Sequence, residues 1–130
     1  QYTLPGVPCI YYGDEAGLEG YKDPFNRRCY PWGHENQELI DWYKNLAKIR
    51  KNTKALSAGD FIPVEAADGL LAYIRKDADC SLLCAFNSTN TEKMLKLPPE
   101  FANFSPVLNS EVENGYLKIK SESCAFIKTK

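Results

Sequence analysis

Asn114-Gly115-Tyr116-Leu117-Lys118-Ile119-Lys120 decides the reading of the chain. Asn-Gly is the dipeptide that tight type I′ hairpins select, because both central residues must adopt positive φ. After the turn, Leu117 and Ile119 fall on one face of an extended chain and Tyr116, Lys118 and Lys120 on the other. That two-residue period predicts a strand with one face buried and one face in water. Similar runs surround it. Strands are predicted over residues 60–65, 70–76, 81–87, 93–97, 106–109, 116–120 and 124–128. Turn signals separate them at Asp68-Gly69, residues 77–79, residues 87–90, Pro98-Pro99 and Asn114-Gly115. Seven short antiparallel strands at this spacing predict a Greek-key β-sandwich or barrel over residues 59–130. Phe61, Tyr73, Phe86 and Phe126 are its expected core, and no exposed aromatic row stands out.

Residues 1–58 read differently. Val7-Pro8-Cys9-Ile10-Tyr11-Tyr12 is a nearly continuous apolar run that suits a strand buried on both faces, as in a parallel sheet. It ends at Gly13-Asp14-Glu15. Residues 16–35 show no period and contain Gly17, Gly20, Pro24, Pro31 and Gly33, but their Tyr, Phe, Trp, Arg and Asp content argues against disorder. Asn36 is a candidate N-cap for a helix whose apolar face is Leu39, Trp42, Tyr43, Leu46 and Ile49. Its second half is rich in lysine and arginine, complementing the helix dipole, and the helix is expected to end near Lys51–Asn52.

Composition narrows the function classes. The chain has 130 residues, 44% of them apolar, and 16 Lys+Arg against 17 Asp+Glu for a net charge of −1. No cationic surplus points to nucleic acid or an anionic membrane, and no apolar run reaches the ~20 residues of a membrane span. The five cysteines (Cys9, Cys29, Cys80, Cys84, Cys124) form no CxxC pair. Cys80 and Cys84 on one strand stand roughly 13 Å apart, too far for a disulfide. Reduced thiols favour a reducing compartment, so the cytoplasm is the expected location. No metal-ligand spacing is present and no cofactor is expected. His34 is the single histidine and has no motif that would pair it with a catalytic cysteine. Asn87-Ser88-Thr89 and Asn103-Phe104-Ser105 match the short glycosylation pattern.

A strand, a long aromatic and charged loop and a helix make a βα unit. In βα-barrels sites lie in the loops after the strands, which places the candidates in residues 11–34. Asp23 and Arg27, in Asp23-Pro24-Phe25-Asn26-Arg27, can form paired hydrogen bonds to vicinal hydroxyls. Tyr21, Phe25, Tyr30 and Trp32 can stack on the apolar face of a sugar ring. The competing reading is an Asp–Arg salt bridge that orders the loop. No pair of carboxylates with a supporting motif is present, and no nucleophile elbow, phosphate loop or dinucleotide fingerprint.

Leu4-Pro5-Gly6-Val7-Pro8-Cys9-Ile10-Tyr11-Tyr12-Gly13-Asp14-Glu15 resembles the eighth barrel strand of the α-amylase family of glycoside hydrolases. Gly20-Tyr21-Lys22-Asp23-Pro24-Phe25-Asn26-Arg27-Arg28-Cys29-Tyr30-Pro31-Trp32-Gly33 resembles the loop that follows, in the neopullulanase, cyclomaltodextrinase and amylopullulanase branch. The resemblance is specific over residues 3–50 and architectural beyond them. It implies that residues 1–58 are the end of a (β/α)8 barrel (strand 8, substrate loop, helix 8) and residues 59–130 a C-terminal β-sandwich, the family's domain C. It implies a C-terminal piece of a retaining α-glucan hydrolase, inactive alone, because the catalytic carboxylates would lie upstream of Gln1. It further implies that Asp23 and Arg27, with Tyr21 and Trp32, contact an α-glucan. Two alternatives stand beside it: part of a non-catalytic amylase-like scaffold, and a carbohydrate-binding module. Residues 7–12, without barrel neighbours, would leave apolar surface open to self-association.

Overall fold

The computed structural model describes residues 1–129. Two antiparallel sheets face each other. The larger has the order β1 (Asp60–Ala67), β2 (Leu70–Lys76), β3 (Ser81–Asn87), β8 (Ser123–Thr129), β5 (Phe104–Leu108). The smaller has the order β4 (Lys93–Lys96), β7 (Tyr116–Ile119), β6 (Glu111–Glu113). The chain changes sheet four times, between β3 and β4, β4 and β5, β5 and β6, and β7 and β8. This is the β-sandwich expected from the strand spacing. The strand missed in the sequence is β6, three residues long. It forms the other arm of the Asn114-Gly115 hairpin, with Glu113 opposite Tyr116. Both turn residues have positive φ (50° and 80°), as do Asp68 and Gly69 (50° and 76°) between β1 and β2. These are the conformations that made both dipeptides legible.

Alternation along the central strands feeds two cores. Ala72 and Ile74 of β2, Leu83 and Ala85 of β3, and Ala125 and Ile127 of β8 pack toward the small sheet, with Leu95, Leu117, Ile119 and Phe101. Tyr73, Leu82, Cys84 and Phe126 face the other way, against Leu56 and the helical residues Leu46 and Ile49. β3 therefore lies between two apolar layers, which is why its sequence is a continuous apolar run. The strands at the edges of the large sheet, β1 and β5, each carry a proline and a register shift beside it, at Pro63 and Pro106. Proline and bulges at edges block pairing with another chain. Phe61, expected in the core, sits on edge strand β1 and is 40% exposed, though its ring lies 4.7 Å from that of Tyr73.

Helix α1 (Gln37–Lys51) begins where its cap predicts: Asn36 Oδ1 accepts from Leu39 N at 3.1 Å. A second, one-turn helix, α2 (Ala55–Ala58), follows and buries Ala55 and Leu56. Residues 7–12 depart from expectation and belong to no strand. Val7 is 92% exposed. A strand exists only where a neighbour takes up its backbone donors and acceptors, and no described strand runs beside this segment.

Candidate functional site

The loop between the first residues and α1 is tied down at a few points. Gly13 turns the chain with φ 91°, where a Cβ would lie 2.7 Å from Leu18 Cδ2. Its amide donates to Glu15 Oε2 at 2.9 Å, and a 3-10 turn, Asp14–Ala16, follows. Asn36 N donates to Ala16 O at 2.9 Å, which joins this turn to the start of α1. Tyr12 Oη donates to Arg28 O at 2.7 Å and closes the far part of the loop back onto its stem. Tyr30 lies near enough to the Glu15 and Glu35 carboxylates that, after desolvation, they help raise its phenol pKa.

At the tip, the turn Lys22 O to Phe25 N (2.9 Å) and the bond Pro24 O to Arg27 N (3.1 Å) fold the Asp-Pro-Phe-Asn-Arg segment back on itself. Arg27 then forms a two-pronged ion pair with Asp23: Nε to Oδ1 at 2.9 Å and Nη2 to Oδ2 at 3.0 Å. Both side chains stay more than half exposed, at 62% and 67%. The pair is thus pre-formed and open to solvent, with three of the five Arg27 N–H donors and the remaining Asp23 lone pairs free to bond a ligand.

Tyr21 and Trp32 are also displayed, each 79% exposed. Trp32 meets Tyr30 at 4.5 Å between ring centres, tilted by 50°. Asp23 and Arg27 are brought together as an ion pair, the contact that the competing, loop-ordering reading names. Tyr21 and Trp32 are solvent-facing aromatics on the same loop. Asn26 had no role assigned from the sequence. Its Oδ1 is buried with no partner among the described residues. The loop anchors Tyr12 and Asn36 were readable only in part, since Asn36 carries a cap signal and Tyr12 carries none.

A wide cleft of about 830 Å³ lies between α1 and the large sheet, lined among others by Tyr2, Trp42, Tyr43, Phe86 and Glu122. None of the four candidate site residues lines it. All five cysteines are free. Burial pushes the Cys84 thiol up to about 12, so it is a packed apolar group and no nucleophile. Among the described residues no three His, Cys, Asp or Glu side chains come together as a metal site, and no helix is long and apolar enough to cross a membrane.

No family model matches the chain. Individual proteins do match. An amylopullulanase of Thermoanaerobacterium saccharolyticum is 38% identical over 108 residues, covering 75% of this chain and 8% of that protein. A cyclomaltodextrinase of Geobacillus thermopakistaniensis is 37% identical over 102 residues, 75% of this chain and 17% of that protein. The α-amylase of Geobacillus thermoleovorans, solved in complex with acarbose, superposes with a TM-score of 0.86 at 29% identity. That match covers 98% of this chain and 30% of the solved one. The chain is homologous to part of the α-amylase-family enzymes. It spans less than a third of the length of each of these relatives.

Proposed function

We propose that this chain is the C-terminal part of a longer, retaining α-glucan hydrolase. It supplies one substrate loop and a structural β-sandwich, and the catalytic carboxylates lie elsewhere in the longer protein. The domain division that goes with this reading is 1–58 as the end of a (β/α)8 barrel and 59–130 as the C-terminal sandwich. In such an enzyme a carboxylate nucleophile forms a glycosyl intermediate and a second carboxyl serves as acid and then base. Asp23 and Arg27 orient the glucan by paired hydrogen bonds to vicinal hydroxyls, and Tyr21 and Trp32 offer ring faces to the sugar.

The observation that carries this reading is the exposed, pre-formed two-pronged Asp23–Arg27 pair at the loop tip. An ion pair that only ordered the loop would have no reason to display Tyr21 and Trp32 on the same loop. Residue 7–12 surface and these aromatics also favour self-association of the isolated chain. The free thiols favour a reducing compartment such as the cytoplasm.

The test is turnover and binding. The purified chain is expected to release no reducing sugar from starch, pullulan or cyclodextrin, and to bind maltooligosaccharides weakly and saturably through the loop. Turnover would overturn the placement of the carboxylates outside the chain. Binding unchanged by Asp23→Ala would overturn the role of the loop.

A further inference from the structure

Arg75 lies in the middle of β2, only 1% exposed, and among the described residues it makes no ion pair. A buried guanidinium is costly unless its donors are met. Here main-chain oxygens meet them. Nη1 donates to Thr3 O at 2.8 Å and Leu56 O at 3.2 Å, Nη2 to Gly59 O at 2.9 Å, and Nε to Asp60 O at 3.3 Å. Thr3 is itself 2% exposed, and its hydroxyl shares a 2.7 Å hydrogen bond with Tyr73 Oη, two residues from Arg75 on the same face of β2.

Arg50, in the last turn of α1, repeats the arrangement. Nη1 donates to Tyr2 O at 2.6 Å and Leu4 O at 3.3 Å, and Nη2 to Gly6 O. The Tyr2 ring meets Tyr43 of α1 edge-on at 6.2 Å. Seven carbonyl oxygens, from residues 2–6 and from α2 to the start of β1, thus converge on two neighbouring guanidinium groups. An apolar side chain would fill the Arg75 volume without the desolvation cost. What the guanidinium adds is directional bonding to three segments at once.

We propose that Arg75 and Arg50 are positioning residues that clamp residues 2–6 between the β-sandwich and α1. They thereby fix the point from which the loop bearing Asp23 and Arg27 departs. The other end of the loop stem is fixed at Ala16 by Asn36 N. A side chain on β2 therefore sets the origin of a loop in the first third of the chain. The consequence for glucan contact rests on the reading of Asp23 and Arg27 above, but the clamp is tested without glucan.

The experiment is backbone relaxation by NMR on the full chain, at a concentration where light scattering gives a monomer. Residues 2–6 are expected to be as rigid as β3, with order parameters of about 0.85. Arg75→Met and Arg50→Met are each expected to lower residues 2–6 below about 0.6 while β3 and the middle of α1 stay near 0.85. Arg75→Lys, which keeps charge but not the fork, should fall between. Residues 2–6 already loose in the parent chain, unchanged in a folded variant, or loosened only together with β3, would each overturn the clamp. If Arg75→Met fails to fold, the decision passes to Arg50→Met and Tyr73→Phe. Both are expected to loosen residues 2–6 selectively, and unchanged order in both overturns the proposal.

Discussion

Between residues 60 and 129 every strand contributes at least one side chain to an apolar cluster. Between residues 7 and 35 only Gly13 and Ala16 are buried. The first region is held by area removed from water and by ladders of backbone hydrogen bonds. The second is held by a few specific bonds: Tyr12 to Arg28, Gly13 to Glu15, Ala16 to Asn36, and Asp23 to Arg27. The contrast teaches where stability and recognition are kept. A rigid sandwich tolerates a displayed loop, and the loop is free to carry exposed aromatic and charged groups because it is not asked to form a core.

The comparison breaks first where the core is emptied. Phe126 is buried in the helix-facing cluster and its ring meets Phe86 edge-on at 5.5 Å. Phe126→Ala is expected to cost about 3–5 kcal/mol in urea unfolding, from lost transfer energy plus the cavity. Trp32→Ala on the loop, a larger deletion, is expected to change stability by less than about 0.5 kcal/mol. Comparable losses at the two positions would mean that the loop is part of the folding core.

Asn87 gives a smaller effect of a different kind. It is buried at the end of β3, and its Nδ2 donates to Thr91 O, Ile119 O and Lys120 O at 2.7, 3.2 and 2.9 Å. Its Oδ1 accepts from the Thr89 amide and hydroxyl. The residue matches a glycosylation pattern, yet its amide is consumed in stapling the β3–β4 crossover to the end of β7. Asn87→Ala is expected to cost about 2 kcal/mol, because buried carbonyls lose their donor. An unchanged urea midpoint would show that water replaces the amide freely.

These cases explain what was legible in the sequence. β2 and β3 were placed to the residue because Asp68-Gly69 fixes the hairpin and alternation fixes the face. β6 was not, since Glu111-Val112-Glu113 has a single apolar side chain and no period can be read from one residue. The run at 7–12 has the composition of a buried strand, but composition names a preference and only a neighbouring strand satisfies it. Asp23 and Arg27 were legible as a pair through their four-residue spacing across a proline turn. The seat of the loop was not, because Arg75 and Arg50 bond to main-chain oxygens, and any residue type can supply those. The relation to α-amylase-family enzymes was readable from the motif residues themselves.

Alkaline pH separates the two regions again. The Cys84 thiol is raised by burial from 9.0 to about 12, and the Tyr73 phenol from 10.0 to about 12, the latter in spite of its bond to Thr3. Both groups have a higher pKa folded than unfolded. Their stabilising contribution is present below the unfolded values and is lost as pH rises through the window from 9.0 toward 12. From about pH 8 to about pH 10, Cys84 alone is expected to remove about 1.4 kcal/mol. Urea midpoints across this range measure it, and Cys84→Ala should flatten the slope even though it lowers the starting stability. A slope unaffected by that substitution would assign the alkaline loss to groups other than Cys84, with Tyr73 the next to be tested by Tyr73→Phe.

The smallest effect on stability is expected where the effect on recognition is largest. The Asp23–Arg27 pair is two-thirds exposed, so breaking it with Asp23→Asn should cost less than about 0.5 kcal/mol of folding stability. If the pair exists to bind vicinal hydroxyls, the same substitution should weaken maltooligosaccharide binding about tenfold or more, as expected for a lost charge-assisted hydrogen bond. Arg27→Lys sharpens the choice. Lysine keeps the charge, and hence an ion pair able to order the loop, but lacks the fork that grips two neighbouring oxygens. A loop-ordering pair predicts that Arg27→Lys leaves binding near its original strength. A recognition pair predicts that it falls nearly as far as Asp23→Asn, with both urea midpoints unmoved. Isothermal titration beside urea unfolding on the same two variants therefore tells an exposed salt bridge from a sugar-gripping one.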